Sequence, residues 1–222
     1  MIKAVIFDMD GVLFDTEAIC CITWKMLSEK KHMDNIHDAL IECIGLNRTD
    51  GIAKLQKRYG TEFDAAGFLD EAKEANQKWI EDNGIPLKPG VHEILQFLKV
   101  QRIPTAICSS TQVPTILSHL KRAQLTEYFQ KIIGGNMVAH SKPEPDIYLK
   151  ACEAIGLPPE ECLAVEDSPN GIRAAYRAGM QTVMVPDLVP PTPELLKLCI
   201  RKENTLLSLL EFLQDIWKES KV

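Results

Sequence analysis

Side chains that could take part in catalysis or metal binding occur at four places in this 222-residue chain, each close to the end of a short apolar run. Carboxylates follow the first and fourth runs, hydroxyl groups follow the second, and an ammonium group lies in the loop beyond the third. These residues are Asp8 and Asp10, Ser109 and Ser110, Lys142, and Glu166 and Asp167. Carboxylate oxygens of this kind can hold a hard divalent cation together with a substrate phosphate. They can do so only if the fold brings the four places together.

The apolar runs predict the strands of a parallel sheet. They lie at 2–7, 104–108, 131–133, 162–165 and 182–185, and they are short and almost entirely apolar, as strands buried on both faces are. Segments with helical periodicity lie between them, near 91–101, 112–123, 145–155 and 169–178, and a further helix is expected near 206–217. This alternation predicts a doubly wound, Rossmann-like parallel α/β sheet.

The predicted topology brings the four polar places to one edge, because ligands bind outside the carboxyl ends of the strands in open α/β sheets. Three or four carboxylates would then meet. Without a counter-charge they would repel one another and raise each other's pKa values. A divalent cation removes that conflict, and Mg²⁺ suits a site made of carboxylates, a carbonyl, waters and a substrate phosphate.

A helical segment interrupts the alternation after the first strand. Residues 16–83 contain no clear strand and are typical of several helices, near 17–30, 35–44, 49–59 and 64–82. Pro86, Pro89 and Gly90 supply the turn residues expected where the α/β pattern resumes. We therefore predict an α/β core domain of residues 1–15 and 84–222, with a helical domain of residues 16–83 inserted into it.

Composition excludes several classes of protein. The 25 Lys and Arg against 31 Asp and Glu give a net charge of −6 and a pI near 5.4, which argues against nucleic acid or an anionic membrane as a partner. No apolar run reaches the roughly 20 residues that span a bilayer. Asp8 and Asp10 interrupt the first apolar run, whereas the apolar region of a signal peptide would not contain carboxylates. The seven cysteines lack metal-ligand spacing and are expected to be reduced thiols. We expect a cytoplasmic monomer.

Four motifs in order resemble the haloacid dehalogenase-like (HAD) superfamily, and most closely its β-phosphoglucomutase-like phosphatases and mutases. They are Asp8-Met-Asp10-Gly-Val after the first run, Ser109 after the second, Ser141-Lys-Pro-Glu-Pro145, and Glu166-Asp-Ser-Pro-Asn-Gly-Ile172. The resemblance covers almost the whole chain, and it identifies the inserted helices as a cap domain. Each motif alone would be weak, but all four at the predicted strand ends are a specific signal.

The resemblance implies a role for each core residue. Asp8 is the expected nucleophile that forms an aspartyl-phosphate, and Asp10 is the expected general acid and base. Mg²⁺ is expected on Asp8, the Asp10 carbonyl and Asp167, with Glu166 as a ligand or as support for the ligands. Lys142 is expected to pair with Asp8 and the phosphoryl group. Ser109, assisted by Ser110, is expected to bind a phosphoryl oxygen, and it could also cap the next helix, since both roles can hold together. Ser168 and Asn170 are expected to be caps.

The cap would select the substrate, and it leaves three functions open. The first is a Mg²⁺-dependent phosphatase of a small phosphorylated metabolite such as a sugar or polyol phosphate. The second is a sugar-phosphate mutase, and the third is a non-catalytic protein that binds a phosphorylated ligand. Glu17 and Arg48 are candidate substrate-binding residues of the cap. Cys20 stands where the similar mutases carry a histidine, and this difference favours hydrolysis.

Overall fold

The computed structural model describes residues 2–44, 46 and 48–219. Its strands are β1 Ala4–Phe7, β2 Thr105–Ser109, β3 Lys131–Gly134, β4 Cys162–Glu166, β5 Gln181–Met184 and β6 Arg201–Lys202. Its helices are α1 Thr16–Lys31, α2 Ile36–Cys43, α3 Arg48–Tyr59, α4 Ala65–Asn83, α5 Val91–Val100, α6 Val113–Arg122, α7 Asp146–Ile155, α8 Pro169–Arg177, α9 Pro193–Leu196 and α10 Leu206–Glu219. The chain divides into two compact units, residues 1–14 with 87–222 and residues 15–86.

The first unit is built on a six-stranded sheet in the order β3-β2-β1-β4-β5-β6, and every neighbouring pair is parallel. This order is that of a doubly wound fold whose strand order reverses at β1. All residues of β1, β2 and β4 are buried, which explains why their sequences are nearly continuous apolar runs. The predicted parallel α/β fold is confirmed. The short elements β6 and α9, of two and four residues, were not predicted.

The register between β1 and β4 determines which side chains meet at the carboxyl edge. Phe7, the last residue of β1, pairs with Val165, and the Asp8 amide donates to the Val165 carbonyl over 2.9 Å. The next residue after each of these two partners therefore lies beside the other at the carboxyl edge. These residues are Asp8 and Glu166, so two carboxylates from distant parts of the sequence become neighbours.

The last helix of this unit packs close to the start of the first strand. The indole of Trp217 donates to the Ile2 carbonyl over 3.2 Å, and its ring contacts Phe97 of α5 at a centroid distance of 5.9 Å. Trp217 is therefore a packing residue that ties α10 to the sheet and to α5.

The second unit contains α1 to α4 and has a hydrophobic core of its own. Trp24 of α1 and Phe68 of α4 meet edge to face at 5.0 Å, and Leu40 of α2 and Leu55 of α3 complete the buried cluster. An insertion with a separate core can fold as one body. Its role as a cap, with the predicted limits 16–83, stays a prediction. Among the described residues, no helix combines the length and the hydrophobicity needed to cross a membrane.

Candidate active site

Lys142 forms the centre of a buried ion-pair network at the carboxyl edge of the sheet. Its ammonium group donates to Oδ1 of Asp8, to Oε1 of Glu166 and, over 3.2 Å, to the carbonyl of Cys108. The ammonium also lies 5.2 Å from the centroid of the Tyr148 ring. Burial lowers the pKa of Lys142, but the negative charges of Asp8 and Glu166 outweigh it and raise that pKa. Lys142 therefore carries a fixed positive charge between the two carboxylates.

Glu166 is fully buried, and both of its oxygens accept hydrogen bonds from the protein. Oε1 accepts from Lys142 and, over 2.6 Å, from the Tyr148 hydroxyl. Oε2 accepts from the backbone amide and the hydroxyl of Ser168, over 3.3 and 3.1 Å. The same Ser168 hydroxyl accepts from the Gly171 amide and thus caps α8, as predicted. Asn170 lies inside α8 and is not its N-cap, so that part of the prediction is wrong.

Asp10 accepts hydrogen bonds from two hydroxyl groups, one at the end of β2 and one just after it. Its Oδ2 accepts from the Thr111 hydroxyl over 3.0 Å and from the Ser109 hydroxyl over 3.4 Å. The Thr111 amide in turn donates to the Ser109 oxygen over 3.0 Å. The N-cap of α6 is Gln112, so Ser109 is not a cap and belongs to the Asp10 network. Ser110 is exposed.

Three buried carboxylates form a potential metal site. One ligand oxygen from each of Asp8, Glu166 and Asp167 lies within 4.8 Å of the other two. Gly11 contacts this group directly, because an ideal Cβ on it would lie 2.5 Å from Oδ2 of Asp167. Its φ of +77° also belongs to the left-handed region that favours glycine.

The charges at this site call for a cation. Burial raises the pKa of Asp8 well above its usual value; the positive charge of Lys142 opposes this effect, and the negative charges of Glu166 and Asp10 add to it. Three ionised carboxylates around one ammonium group leave an excess of two negative charges. Carboxylate oxygens that need a counter-charge of two fit a hard divalent ion.

Two predicted site residues belong to the helical unit, where they make local contacts. The guanidinium of Arg48 pairs with both oxygens of the Asp70 carboxylate, over 2.8 and 2.9 Å, on the exposed surface of α3 and α4. Glu17 lies in the first turn of α1 and accepts from the Thr16 hydroxyl over 2.9 Å. The thiol of Cys20 accepts from the Asn76 amide group over 3.2 Å.

Three further residues of the core site were not predicted from the sequence to act there. Thr111 continues the hydroxyl run Ser109-Ser110 and could have been suspected for that reason. Tyr148 lies on a helical face with no polar pattern that singles it out, and only the packing of α7 brings its hydroxyl to Glu166. Gly171 was part of the fourth motif, but its close contact with the Glu166 carboxylate depends on the turn between β4 and α8.

Comparison with known proteins identifies the family. The model of the haloacid dehalogenase-like hydrolase family matches residues 5–185, which is most of the chain. The chain belongs to this family. The predicted membership of the HAD superfamily, and the prediction of an HAD-like enzyme, are thereby confirmed.

The relatives of this HAD-like hydrolase include phosphatases and a mutase. A phosphorylated carbohydrates phosphatase of Thermotoga maritima is 32% identical over 82% of this chain and 83% of the relative. A β-phosphoglucomutase of Bacillus subtilis is 29% identical over 99% of this chain and 97% of the relative. The crystal structure of CbbY from Rhodobacter sphaeroides in complex with phosphate has a TM-score of 0.75 and 26% identity, and covers 94% of this chain and 96% of that one. The resemblance to the β-phosphoglucomutase-like group is therefore confirmed as well.

Proposed function

We propose that this HAD-like hydrolase is a Mg²⁺-dependent phosphatase of a small phosphorylated metabolite, a sugar or polyol phosphate. Asp8 attacks the phosphorus atom and forms an aspartyl-phosphate, which water then hydrolyses. The observation that carries the proposal is the position of Lys142 between Asp8 and Glu166, beside the Asp167 carboxylate. A phosphatase that works through a carboxylate needs this combination of a nucleophile and fixed positive charge.

Asp8 must be ionised to act as a nucleophile, although burial raises its pKa. Lys142 opposes that effect through a direct ion pair, and its ammonium group also offers positive charge to the incoming phosphoryl oxygens. An ammonium already oriented by Glu166 and the Cys108 carbonyl needs little rearrangement when negative charge develops.

Asp8, Asp167 and the Asp10 carbonyl would hold Mg²⁺. When bound, the ion would screen Asp8 from the phosphate dianion and stabilise the charge of the transferring phosphoryl group. Glu166 either joins the ligands or supports them. Its four hydrogen bonds from the protein favour the supporting role, in which it orients Lys142.

Asp10 would move the proton in each half of the reaction. It protonates the leaving oxygen of the substrate and then removes a proton from the water that attacks the aspartyl-phosphate. The Thr111 hydroxyl supports this role by fixing one oxygen of Asp10. Ser109 and Ser110 remain proposed contacts of the phosphoryl oxygens, with Ser109 better suited because its hydroxyl is already held within the site.

The substrate-binding roles of Glu17 and Arg48 also stay predictions. The role of Arg48 can be tested by comparing Arg48→Ala with Asp70→Ala, because each substitution removes one partner of the same exposed ion pair. Such a pair contributes only about 0–1 kcal/mol to stability. If Arg48 binds substrate, only Arg48→Ala raises KM; equal kinetic constants for both variants and the parent would contradict that role.

A sugar-phosphate mutase is the second candidate, because a β-phosphoglucomutase aligns over almost the whole length of both chains. Cys20 argues for hydrolysis instead. The Cys20 thiol accepts a hydrogen bond from Asn76, and a thiol cannot supply the cationic donor that the similar mutases have at this position.

Phosphate release from p-nitrophenyl phosphate tests the proposed chemistry. The parent enzyme with Mg²⁺ should turn over, while Asp8→Asn and the parent in excess EDTA should not. Glu161→Gln, which removes one charge at the surface pair with Lys3, is the matched control and should keep full activity. Full activity of Asp8→Asn, or of the parent in EDTA, would contradict the assignment. A panel of phosphorylated metabolites then identifies the substrate.

Incubation with β-glucose 1-phosphate and a trace of the bisphosphate distinguishes the two candidates. A phosphatase releases inorganic phosphate, whereas a mutase forms glucose 6-phosphate without releasing it. Glucose 6-phosphate without free phosphate would show that the enzyme is a mutase and not a phosphatase, while the proposed role of Asp8 as nucleophile would still hold.

We further propose a cytoplasmic, monomeric enzyme. The negative net charge and the seven free thiols of the chain support this location. Fractionation and a mass measurement in solution would test the two statements separately.

A further inference from the structure

Asp187 brings a further carboxylate to the carboxyl edge of the sheet. It follows β5 at a distance of three residues, and the intervening Val185 amide donates to the carbonyl of Glu166 over 2.7 Å. This hydrogen bond keeps the segment after β5 alongside the end of β4, where Glu166 and Asp167 lie. Asp187 therefore comes from the strand next to the one that supplies the proposed metal ligands.

The two oxygens of Asp187 have different surroundings. Oδ1 accepts from the ammonium of Lys88 over 2.7 Å. Oδ2 is buried and, among the described residues, has no hydrogen-bond partner. Only 10% of the Asp187 side chain is exposed. A buried carboxylate oxygen without a donor is costly, so its presence indicates a donor that the protein chain does not itself supply.

The unpartnered oxygen faces the space beside Asp167. An ideal Cβ on Gly11 would lie 3.4 Å from Oδ2 of Asp187 and 2.5 Å from Oδ2 of Asp167, so both oxygens border the same backbone position. A carboxylate oxygen of Asp187 and one of Asp167 lie within 4.8 Å of each other. Two buried negative groups at this distance would repel each other unless something positive or hydrogen-donating lies near both.

We infer that Asp187 is a positioning residue of the metal site, whose Oδ2 accepts a hydrogen bond from a water molecule coordinated to the Mg²⁺ on Asp8 and Asp167. The inference rests on the proposed function, because it needs Mg²⁺ to bind there. A water ligand of Mg²⁺ is a strong donor, and Mg²⁺ in proteins usually keeps several waters. Asp187 does not belong to the group of Asp8, Glu166 and Asp167, whose ligand oxygens lie mutually within 4.8 Å, and this fits contact with an ion on Asp8 and Asp167 through water better than direct ligation of that ion.

Lys88 determines the orientation of this carboxylate. Its ion pair with Oδ1 leaves Oδ2 as the oxygen directed toward Asp167. Residues that orient the ligands of a metal commonly contribute a factor of about 10–100 to its affinity. A purely structural ion pair between Lys88 and Asp187 would contribute to folding and leave Mg²⁺ affinity unchanged.

Calorimetric titration with Mg²⁺ alone, without substrate, separates these two roles. Asp187→Asn should weaken Mg²⁺ binding about 10- to 100-fold, since the amide is uncharged and a poorer acceptor. Lys88→Met breaks the same ion pair but keeps the carboxylate and its charge, so it should weaken Mg²⁺ binding less than Asp187→Asn does. Glu161→Gln controls for the loss of one negative charge and should bind Mg²⁺ as the parent does.

A double variant guards against misfolding caused by one unpaired charge. Lys88→Leu with Asp187→Leu replaces the ion pair by apolar side chains, which is often tolerated. This double variant should also bind Mg²⁺ at least 10-fold more weakly than Lys88→Met. Equal Mg²⁺ affinities for Asp187→Asn, the double variant and the parent would overturn the inference while leaving the proposed function intact. Absence of Mg²⁺ binding by the parent itself would overturn both.

Discussion

Gly171 and Glu166 are in such close contact that an ideal Cβ on Gly171 would lie 1.9 Å from Oε1 and 2.1 Å from Oε2 of the carboxylate. The first turn of α8 thus packs its backbone directly onto the buried group that orients Lys142. No side chain larger than hydrogen fits there unless Glu166 moves. The φ of Gly171 does not lie in the left-handed region, so its backbone conformation would allow other residues. The close packing against Glu166 is therefore what requires glycine here.

Gly171→Ala should therefore damage both stability and activity. Overpacking costs about 1–3 kcal/mol, and displacing Glu166 also disturbs its bonds to Lys142 and Tyr148. Urea denaturation and phosphate release should both report the loss.

Gly51→Ala is the matched control for that substitution. Gly51 lies within α3, and its ideal Cβ would make only an ordinary contact of 3.7 Å with Leu69. Alanine should stabilise this helix by about 0.5–1 kcal/mol. A Gly171→Ala enzyme as stable and active as the parent would contradict the packing argument.

Thr111→Val should lower kcat about 10- to 100-fold with little change in KM. The substitution keeps the shape of the side chain but removes the hydroxyl that donates to Asp10, and a hydrogen bond to a charged group is worth about 1.5–3 kcal/mol. Thr111→Ser keeps the hydroxyl and should retain most of the activity. A Thr111→Val enzyme with the kcat of the parent would contradict the proposed role of the contact with Asp10.

Asp10→Asn should slow the hydrolysis of p-nitrophenyl phosphate by about 10²–10⁴-fold, the range that general acid–base catalysis supplies. A 2,4-dinitrophenyl ester needs no proton on its leaving oxygen, so its first step should survive the substitution. The variant should release a burst of dinitrophenolate and then stall, because the attacking water still lacks a base. Equal slowing of the first step for both esters would count against Asp10 as the general acid.

The raised pKa of Asp8 predicts a pH dependence of stability in metal-free protein. In the unfolded chain an aspartate titrates near about 3.9, whereas burial raises the pKa of folded Asp8 well above that value. The folded state then binds the proton more tightly, so the contribution of Asp8 to stability is full at low pH and is lost as the pH rises through the folded pKa.

Unfolding of the parent and of Asp8→Asn in EDTA measures this contribution. The asparagine does not titrate, so as the pH rises from 4 the parent should lose stability relative to the variant. Carboxylates remote from Asp8 contribute equally to both proteins and cancel in the difference between them. A stability difference that stays constant with pH would show that Asp8 has an ordinary pKa in the fold.

The general position of the site could be predicted from the sequence because parallel topology is simple. Buried parallel strands are recognisable as apolar runs, and their carboxyl ends must share one edge. That rule predicts that Asp8, Glu166 and Asp167 meet, and that Lys142 in the loop after the third run lies at the same edge.

Contacts made by helices and late loops could not be predicted in this way. Tyr148 reaches Glu166 because of how α7 packs on β2 and β3. A periodic pattern of apolar residues predicts a helix but does not predict where one hydroxyl group points. Asp187 follows a recognised apolar run, but its importance emerged only from the unpartnered oxygen and the position of Lys88. The short β6 and α9 have too few residues to produce a pattern.

Trapping the phosphorylated enzyme tests the central claim, that Asp8 is the nucleophile. The enzyme is mixed with a ³²P-labelled substrate, quenched in acid during turnover, and reduced with borohydride, which converts an aspartyl-phosphate to homoserine. The account predicts acid-stable label on the protein before reduction, and homoserine at position 8 in the peptide map afterwards. Continued phosphate release without label on the protein, or label on any residue other than Asp8, would contradict it.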